Sequence, residues 1–200
     1  ILSGKNVGEI VNMMNSHGII GAILPGISIE TGVCMTSNWS VNLALICSAD
    51  ERKGGDLGVL LGRLLRVSKD VSRSIAFLHD YGAVRLDARP SSVRRFQVAL
   101  PAASQEDLLS YSRGVHHDTS EFLDALDSIG PPRAGNAPLV DGNMLSRVTG
   151  LEPSKRLGRL KGWLHRRQIE EDLISPDDVI SLLDGIEWAE SDPDQWPILS

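Results

Sequence analysis

The sequence predicts an all-α fold, a helical body followed by a small helical tail. Apolar residues recur at helical spacing along nearly the whole chain, few runs alternate with period two, and aromatic residues make up only 4% of it. The Pro/Gly-rich stretch "PPRAGNAP" is the clearest linker and divides residues 1–130, a neck remnant and body, from residues 139–200, the tail, with 131–138 between them.

Taken in order, "NVGEIVNMMNSHG" sets Val7, Ile10, Val11 and Met14 on one face, and Gly18 is its natural stop. "NWSVNLALIC" is a short, mostly apolar helix that should be buried. "GDLGVLLGRLLRVSKDVSRSIAFLHDYG" holds two helices broken near Ser68, which can cap the second. In that second helix Val71, Ile75 and Leu78 share one face, and Arg66, Lys69 and Arg73 lie together on another. "RPSSVRRFQVALP" is a helix between prolines, with Ser91 or Ser92 as its cap. "SQEDLLSYSRGVHHDTSEFLDALDSIG" forms one long helix or two, ending at Gly130. Beyond the linker, "LVDGNMLSRVTG" is a short helix with a Gly end, and a strongly basic helix follows it. "SPDDVISLLDGIEW" closes the chain with Ser175 at the N-cap, Pro176 at the first helical position and acids in the first turn.

A mean hydropathy of -0.07 is ordinary for a globular chain. No run of eighteen apolar residues occurs, which argues against a membrane span. Cys34 and Cys47 form no C-x-x-C pair, so buried packing and a reducing cytoplasm are expected. The opening "ILSGKNVGEI" has neither Met nor a signal pattern, and reads as part of a longer chain.

Charge is distributed unevenly. The chain holds 20 basic and 26 acidic residues, yet residues 150–167 carry six Lys/Arg against one acid. Residues 168–200 carry ten acids and no Lys or Arg, and are expected to stay solvated. A local basic cluster in an acidic background is the usual footprint of an anion-binding surface. Pro153 and Ser154 start the basic helix, and Leu157, Leu160 and Leu164 form its apolar face. Lys155, Arg159, Gly162 and Arg166 fall opposite. A Gly in a row of cations lets an anion approach the backbone, and the helix N-terminus adds unpaired N–H groups and the positive end of the dipole. These features point to a backbone-phosphate site, with His165 among its cations. The competing reading is a solvated face whose cations balance the acids downstream.

The segment "LVDGNMLSRVTGLEPSKRLGRLKGWL" resembles the tail motif of class II tRNA nucleotidyltransferases, the CCA-adding enzymes of the tRNA nucleotidyltransferase/poly(A) polymerase family. Gly142, Leu145, Gly150, Leu151, Pro153, Leu157, Gly158 and Leu160 match its pattern in order, and Ser154 stands where the family usually has Gly. The opening, with Leu24-Pro25, resembles the segment after the family's neck motifs, and "LLRVSKDVSRSIAFL" resembles a body helix pair. The resemblance implies a neck remnant, body and tail that grip the acceptor stem and elbow of tRNA. The head, with Mg²⁺, would add nucleotides from CTP and ATP to build or repair the 3'-terminal CCA. No Gly-Ser followed by an Asp-x-Asp pair occurs in these 200 residues, so catalytic residues are expected upstream and the segment alone is expected to be inactive. The RNA-binding residues implied are Ser154, Lys155, Arg156, Arg159, Lys161 and Arg166. Arg66, Lys69 and Arg73, with Arg94 and Arg95, would extend the track through the body; Asp70 lies within the first row, and surface salt bridges explain it equally well.

Two other readings compete. One is a stand-alone helical module that binds RNA or protein without catalysis. The other is a metal phosphohydrolase of HD type, raised by His79-Asp80 and by His116-His117-Asp118, for which a helix end and plain exposure are the simpler explanations. Trp163, Trp188 and Trp196 are assigned to the core of the tail rather than to base stacking.

Overall fold

The computed structural model of the chain describes residues 1–4, 6–82, 86–115 and 117–196. Among these residues every regular element is helical and none is a strand. The α-helices are α1 (Val7–Ser16), α2 (Ile19–Ile23), α3 (Trp39–Ile46), α4 (Gly54–Leu65), α5 (Lys69–Gly82), α6 (Pro90–Ala99), α7 (Ala102–Gly114), α8 (Ser120–Ile129), α9 (Gly142–Thr149), α10 (Lys155–Glu171) and α11 (Pro176–Ser181). Short 3-10 turns follow at Leu182–Gly185 and Pro193–Gln195. No helix among the described residues is long and apolar enough to cross a membrane.

The chain divides into two compact units. The first holds Ile1–Leu86 and Ala102–Glu121, the second Asp87–Pro101 and Phe122–Ser200. In the first unit, α3 is mostly apolar and buried from Val41 to Ile46, the polar Asn42 included, as its composition predicts. The Asn38 side chain caps it by accepting from the Ser40 N–H at 3.0 Å. α4 ends at Arg66, held in the left-handed region at φ 54°, and Ser68 caps α5 by accepting from the Val71 N–H. Ile75 and Leu78 of α5 are fully buried. α4 meets α5 through glycine: a Cβ on Gly58 would lie 2.6 Å from the Ser72 carbonyl oxygen, so no side chain fits between these backbones.

The start of α6 departs from expectation. Neither Ser91 nor Ser92 is its cap, because Pro90 takes the first helical position and Arg89 the N-cap. Proline has no N–H to be capped and its φ is already helical, so the helix begins ahead of both serines. The Ser92 hydroxyl instead donates to Asp87 Oδ2 at 2.8 Å.

In the second unit Val140, Leu145, Leu157, Leu160, Leu164, Val179, Leu183 and Trp196 form one buried cluster, with Trp163 and Trp188 packed against it. Trp163 and Trp196 meet edge to face with ring centroids 6.0 Å apart, and the Trp196 Nε1–H donates to Ser191 Oγ. The tryptophans are core residues, as their number in a small tail suggests.

The stretch 131–138 is fastened down by two residues of α10's end. Asp172 Oδ1 accepts from the N–H groups of Arg133 at 2.7 Å and Ala134 at 2.8 Å, and Oδ2 from Arg133 Nε at 2.9 Å. The fully buried Gln168 amide donates to the carbonyls of Ala134 and Ala137 and accepts from the Leu139 N–H. Burial tends to raise the Asp172 pKa, but the Arg133 side chain and the N–H groups of Ala134 and Arg133 outweigh it and hold the carboxyl below its ordinary value.

Candidate nucleic-acid interface

The basic helix is set in place by a turn whose residues have separable jobs. Asp141 caps α9, accepting from the Met144 N–H at 2.7 Å. Gly150 ends α9 at φ 71°, where a side chain would be strained, and its N–H reaches the Ser146 carbonyl at 2.8 Å. Ser154 then starts α10: its Oγ accepts from the Leu157 N–H at 3.3 Å and its carbonyl from the Gly158 N–H at 3.1 Å. This capping leaves the N–H groups of Lys155 and Arg156 without intrahelical partners. Leu157, Leu160 and Leu164 turn inward, as their spacing predicts.

On the outer face Lys155, Gly158, Arg159 and Gly162 are exposed, and a Cβ on either glycine would meet nothing within 4 Å. Open space beside unpaired N–H groups and two cations is what an anion needs to reach the backbone. Arg159 pairs with Asp194 at 3.2 Å, but both side chains are more than half exposed, and such a pair is easily exchanged for another anion. Lys161 is half-buried, and among the described residues neither it nor Lys155 has an ion-pair partner.

The remaining cations of the helix are engaged within the fold. Arg156 donates from Nε to the Trp188 carbonyl at 2.8 Å and from Nη2 to the Ser191 carbonyl, holding the end of the tail against α10. Arg166 donates from Nε to Glu170 Oε1 at 2.6 Å. Arg167 pairs with Glu171 and lies over the Trp163 ring, 5.7 Å from its centroid. His165 turns Nε2 inward, where the atom is buried and has no hydrogen-bond partner, so this nitrogen does not face an approaching phosphate. The acidic stretch behind the helix is not uniformly solvated either, because the Glu170 side chain is 0% exposed.

Arg94 and Arg95 lie on α6, in the same unit as α10. Arg94 donates from Nη1 to the Glu170 carbonyl at 2.8 Å, and Arg95 Nε stands 3.4 Å from Glu170 Oε1. In the first unit, Lys69 and Arg73 line a groove of about 420 Å³ between α4 and α5, floored by Gly55, Gly58 and Gly62. Arg63 shares that groove, and the repeated glycines with Arg63 one residue past the last were its signal in the sequence. Arg73 is paired with Asp70 at 3.3 Å, and both side chains are well exposed.

Among the described residues the histidines do not assemble a metal centre. His79 Nε2 is 2.9 Å from the Arg52 carbonyl oxygen, and Asp80 Oδ1 accepts from the Gly54 N–H at 2.6 Å, at the start of α4. His79, Asp80 and His117 line one cavity of about 510 Å³, yet no three His, Cys, Asp or Glu groups among the described residues are placed to hold an ion. His116 lies outside the described residues. Burial, with a smaller contribution from Asp50, pushes the Cys47 thiol up to about 12, which fits inert packing. Cys34 is exposed rather than packed inside; its backbone N–H donates to the Gly114 carbonyl.

Compared with family models, with curated proteins and with solved structures, the chain matches none of them.

Proposed function

We propose that this chain is the tRNA-gripping portion of a class II tRNA nucleotidyltransferase, one that adds or repairs the 3'-terminal CCA. The observation that carries this reading is the turn from Gly150 to Ser154. A left-handed glycine and a serine cap set α10 with its N-terminus open, beside exposed Lys155 and Arg159 and above the unobstructed Gly158 and Gly162. In the motif that suggests the family, Gly150 makes the turn, Leu145, Leu157 and Leu160 fill the core, and Gly158 clears the surface.

A phosphate seated there would accept from the N–H groups of Lys155 and Arg156 and be flanked by the Lys155 ammonium and the Arg159 guanidinium. Contacts of this kind read shape and charge, not bases, and so suit a partner that must include every tRNA. Nucleotide transfer from CTP and ATP would belong to residues other than these 200. No three His, Cys, Asp or Glu groups among the described residues are placed to hold an ion, and no step through Mg²⁺ is assigned to this segment. The reading of the helix cations as partners of its own acids is favoured for Arg167, which meets Glu171 and lies over Trp163. It leaves Lys155 unexplained.

The test is a titration of the chain with intact tRNA and with an acceptor-stem minihelix that lacks the elbow, at several salt concentrations. Intact tRNA is expected to bind more tightly. The Lys155→Glu/Arg159→Glu variant should lose that advantage, with a salt slope shallower by about 0.9 for each phosphate contact removed. Equal binding of both RNAs, or a variant that binds like the parent, would refute the proposal.

A further inference from the structure

Where α6 packs on α10, three guanidinium groups converge on one buried acid. The Glu170 side chain is 0% exposed; its Oε1 accepts from Arg166 Nε at 2.6 Å, and Arg95 Nε stands 3.4 Å from the same oxygen. Arg94 donates to the Glu170 carbonyl. One carboxylate cannot balance three guanidiniums, so the cluster keeps an excess of positive charge. The side chains of Arg95 and Arg166 remain 38% and 37% exposed.

A buried carboxylate is a poor device for stability alone, since desolvation offsets most of the Coulomb gain. It is an effective device for orientation. Glu170 accepts a hydrogen bond from Arg166 at Nε, and Arg95 turns its Nε toward the same oxygen as an ion pair without a hydrogen bond. An arginine held at Nε keeps its outer Nη edge available for the two parallel hydrogen bonds that a phosphate accepts. Among the described residues the Arg166 Nη atoms have no partner, and Arg95 spends only Nη2, on Ser92 Oγ at 3.2 Å. Glu170 Oε2 is buried and has no hydrogen-bond partner.

Resting on the RNA-binding reading above, we infer that Glu170 is a positioning residue, holding Arg166 of α10 and Arg95 of α6 as a paired clamp for a backbone phosphate of the bound RNA. The phosphate-binding surface then includes α6 as well as α10. The test compares tRNA binding, at several salt concentrations, by the parent chain and by Glu170→Gln, Arg95→Lys, Arg166→Lys and Lys155→Glu. Circular dichroism checks that each variant is folded.

Glu170→Gln removes a negative charge, so a merely electrostatic surface would bind RNA more tightly. The clamp predicts binding weaker by about fivefold or more. Each Lys variant keeps its charge but loses the fork, and should weaken binding to a similar extent with the salt slope preserved. If Glu170→Gln does not fold, the two Lys variants decide. Unchanged or tighter binding by the folded Glu170→Gln chain, or unchanged binding by both Lys variants, overturns the clamp. If those variants bind like the parent while Lys155→Glu binds weakly, only the clamp falls. If the parent binds no tRNA, the RNA reading falls first and the clamp with it.

Discussion

Gln168→Leu tests how the segment 131–138 is held. The Gln168 amide is fully buried and makes three hydrogen bonds: to the carbonyls of Ala134 at 3.2 Å and Ala137 at 3.0 Å, and from the Leu139 N–H at 2.9 Å. Leucine nearly conserves the volume, so no large cavity opens, but three backbone groups lose their partner. A buried group left unsatisfied costs about 1–3 kcal/mol. The segment is only part-buried, so water can reach some of these groups, and the lower figure applies to each. The total is about 3 kcal/mol. With a urea slope of about 1–3 kcal/mol/M, the unfolding midpoint should fall by about 1–3 M. Fluorescence reports it well, since Trp163, Trp188 and Trp196 all pack in the tail. Trypsin supplies an independent reading, because Arg133 lies within the clasped segment and cleavage after it requires local opening. The variant should be cut there faster under native conditions. A midpoint shift worth less than about 0.5 kcal/mol, with cleavage at Arg133 unchanged, would show that the amide does not hold the segment.

Three further outcomes follow from the same contacts. Asp172 has a carboxyl pKa depressed in the fold, so the unfolded chain takes up its proton first as pH falls. Its contribution is therefore present above its ordinary pKa and lost on acidification; urea midpoints measured from pH 6 to pH 3 should fall for the parent and be flatter for Asp172→Asn. Gly162→Ala should stabilise α10 by about 0.5–1 kcal/mol, since nothing crowds the new methyl group, yet weaken tRNA binding because the backbone is then less approachable. Arg156→Ala should lower tail stability by about 1–3 kcal/mol, because the carbonyls of Trp188 and Ser191 lose their donor, and should leave the tRNA affinity of the folded chain within about twofold.

Local structure was largely open to sequence reasoning. The Leu157, Leu160 and Leu164 face, the Gly150 stop and the Ser154 cap depend on neighbours within a few residues, and all are present as expected. The pairing of cations was open only in part. Arg166–Glu170 and Arg167–Glu171 have the i, i+4 spacing of helix ion pairs. Periodicity placed Arg166 on the outer row but could not show that Glu170, counted among the solvated acids, would be buried beneath it. The partnership of Arg95 with Glu170 was hidden altogether, because it joins helices far apart in sequence and no local pattern encodes it. The same holds for "PPRAGNAP", whose composition signals a linker while its fastening comes from Gln168 and Asp172 more than thirty residues later. Nor does any composition shift near 86 or 101 announce that α6 belongs with the tail.

The central claim, that the outer face of α10 lies on the tRNA elbow, is tested most directly by cross-linking. Gly158→Cys, which is exposed and uncrowded, would carry a short photoreactive group in a Cys34→Ser background; the buried Cys47, its thiol pushed up to about 12, would stay unlabelled. Ser181→Cys, exposed on α11, serves as the control position. The account predicts that tRNA cross-links from position 158 concentrate in the loops that form the elbow, well above those from position 181. Cross-links no more frequent than the control, or confined to the acceptor end, would contradict it.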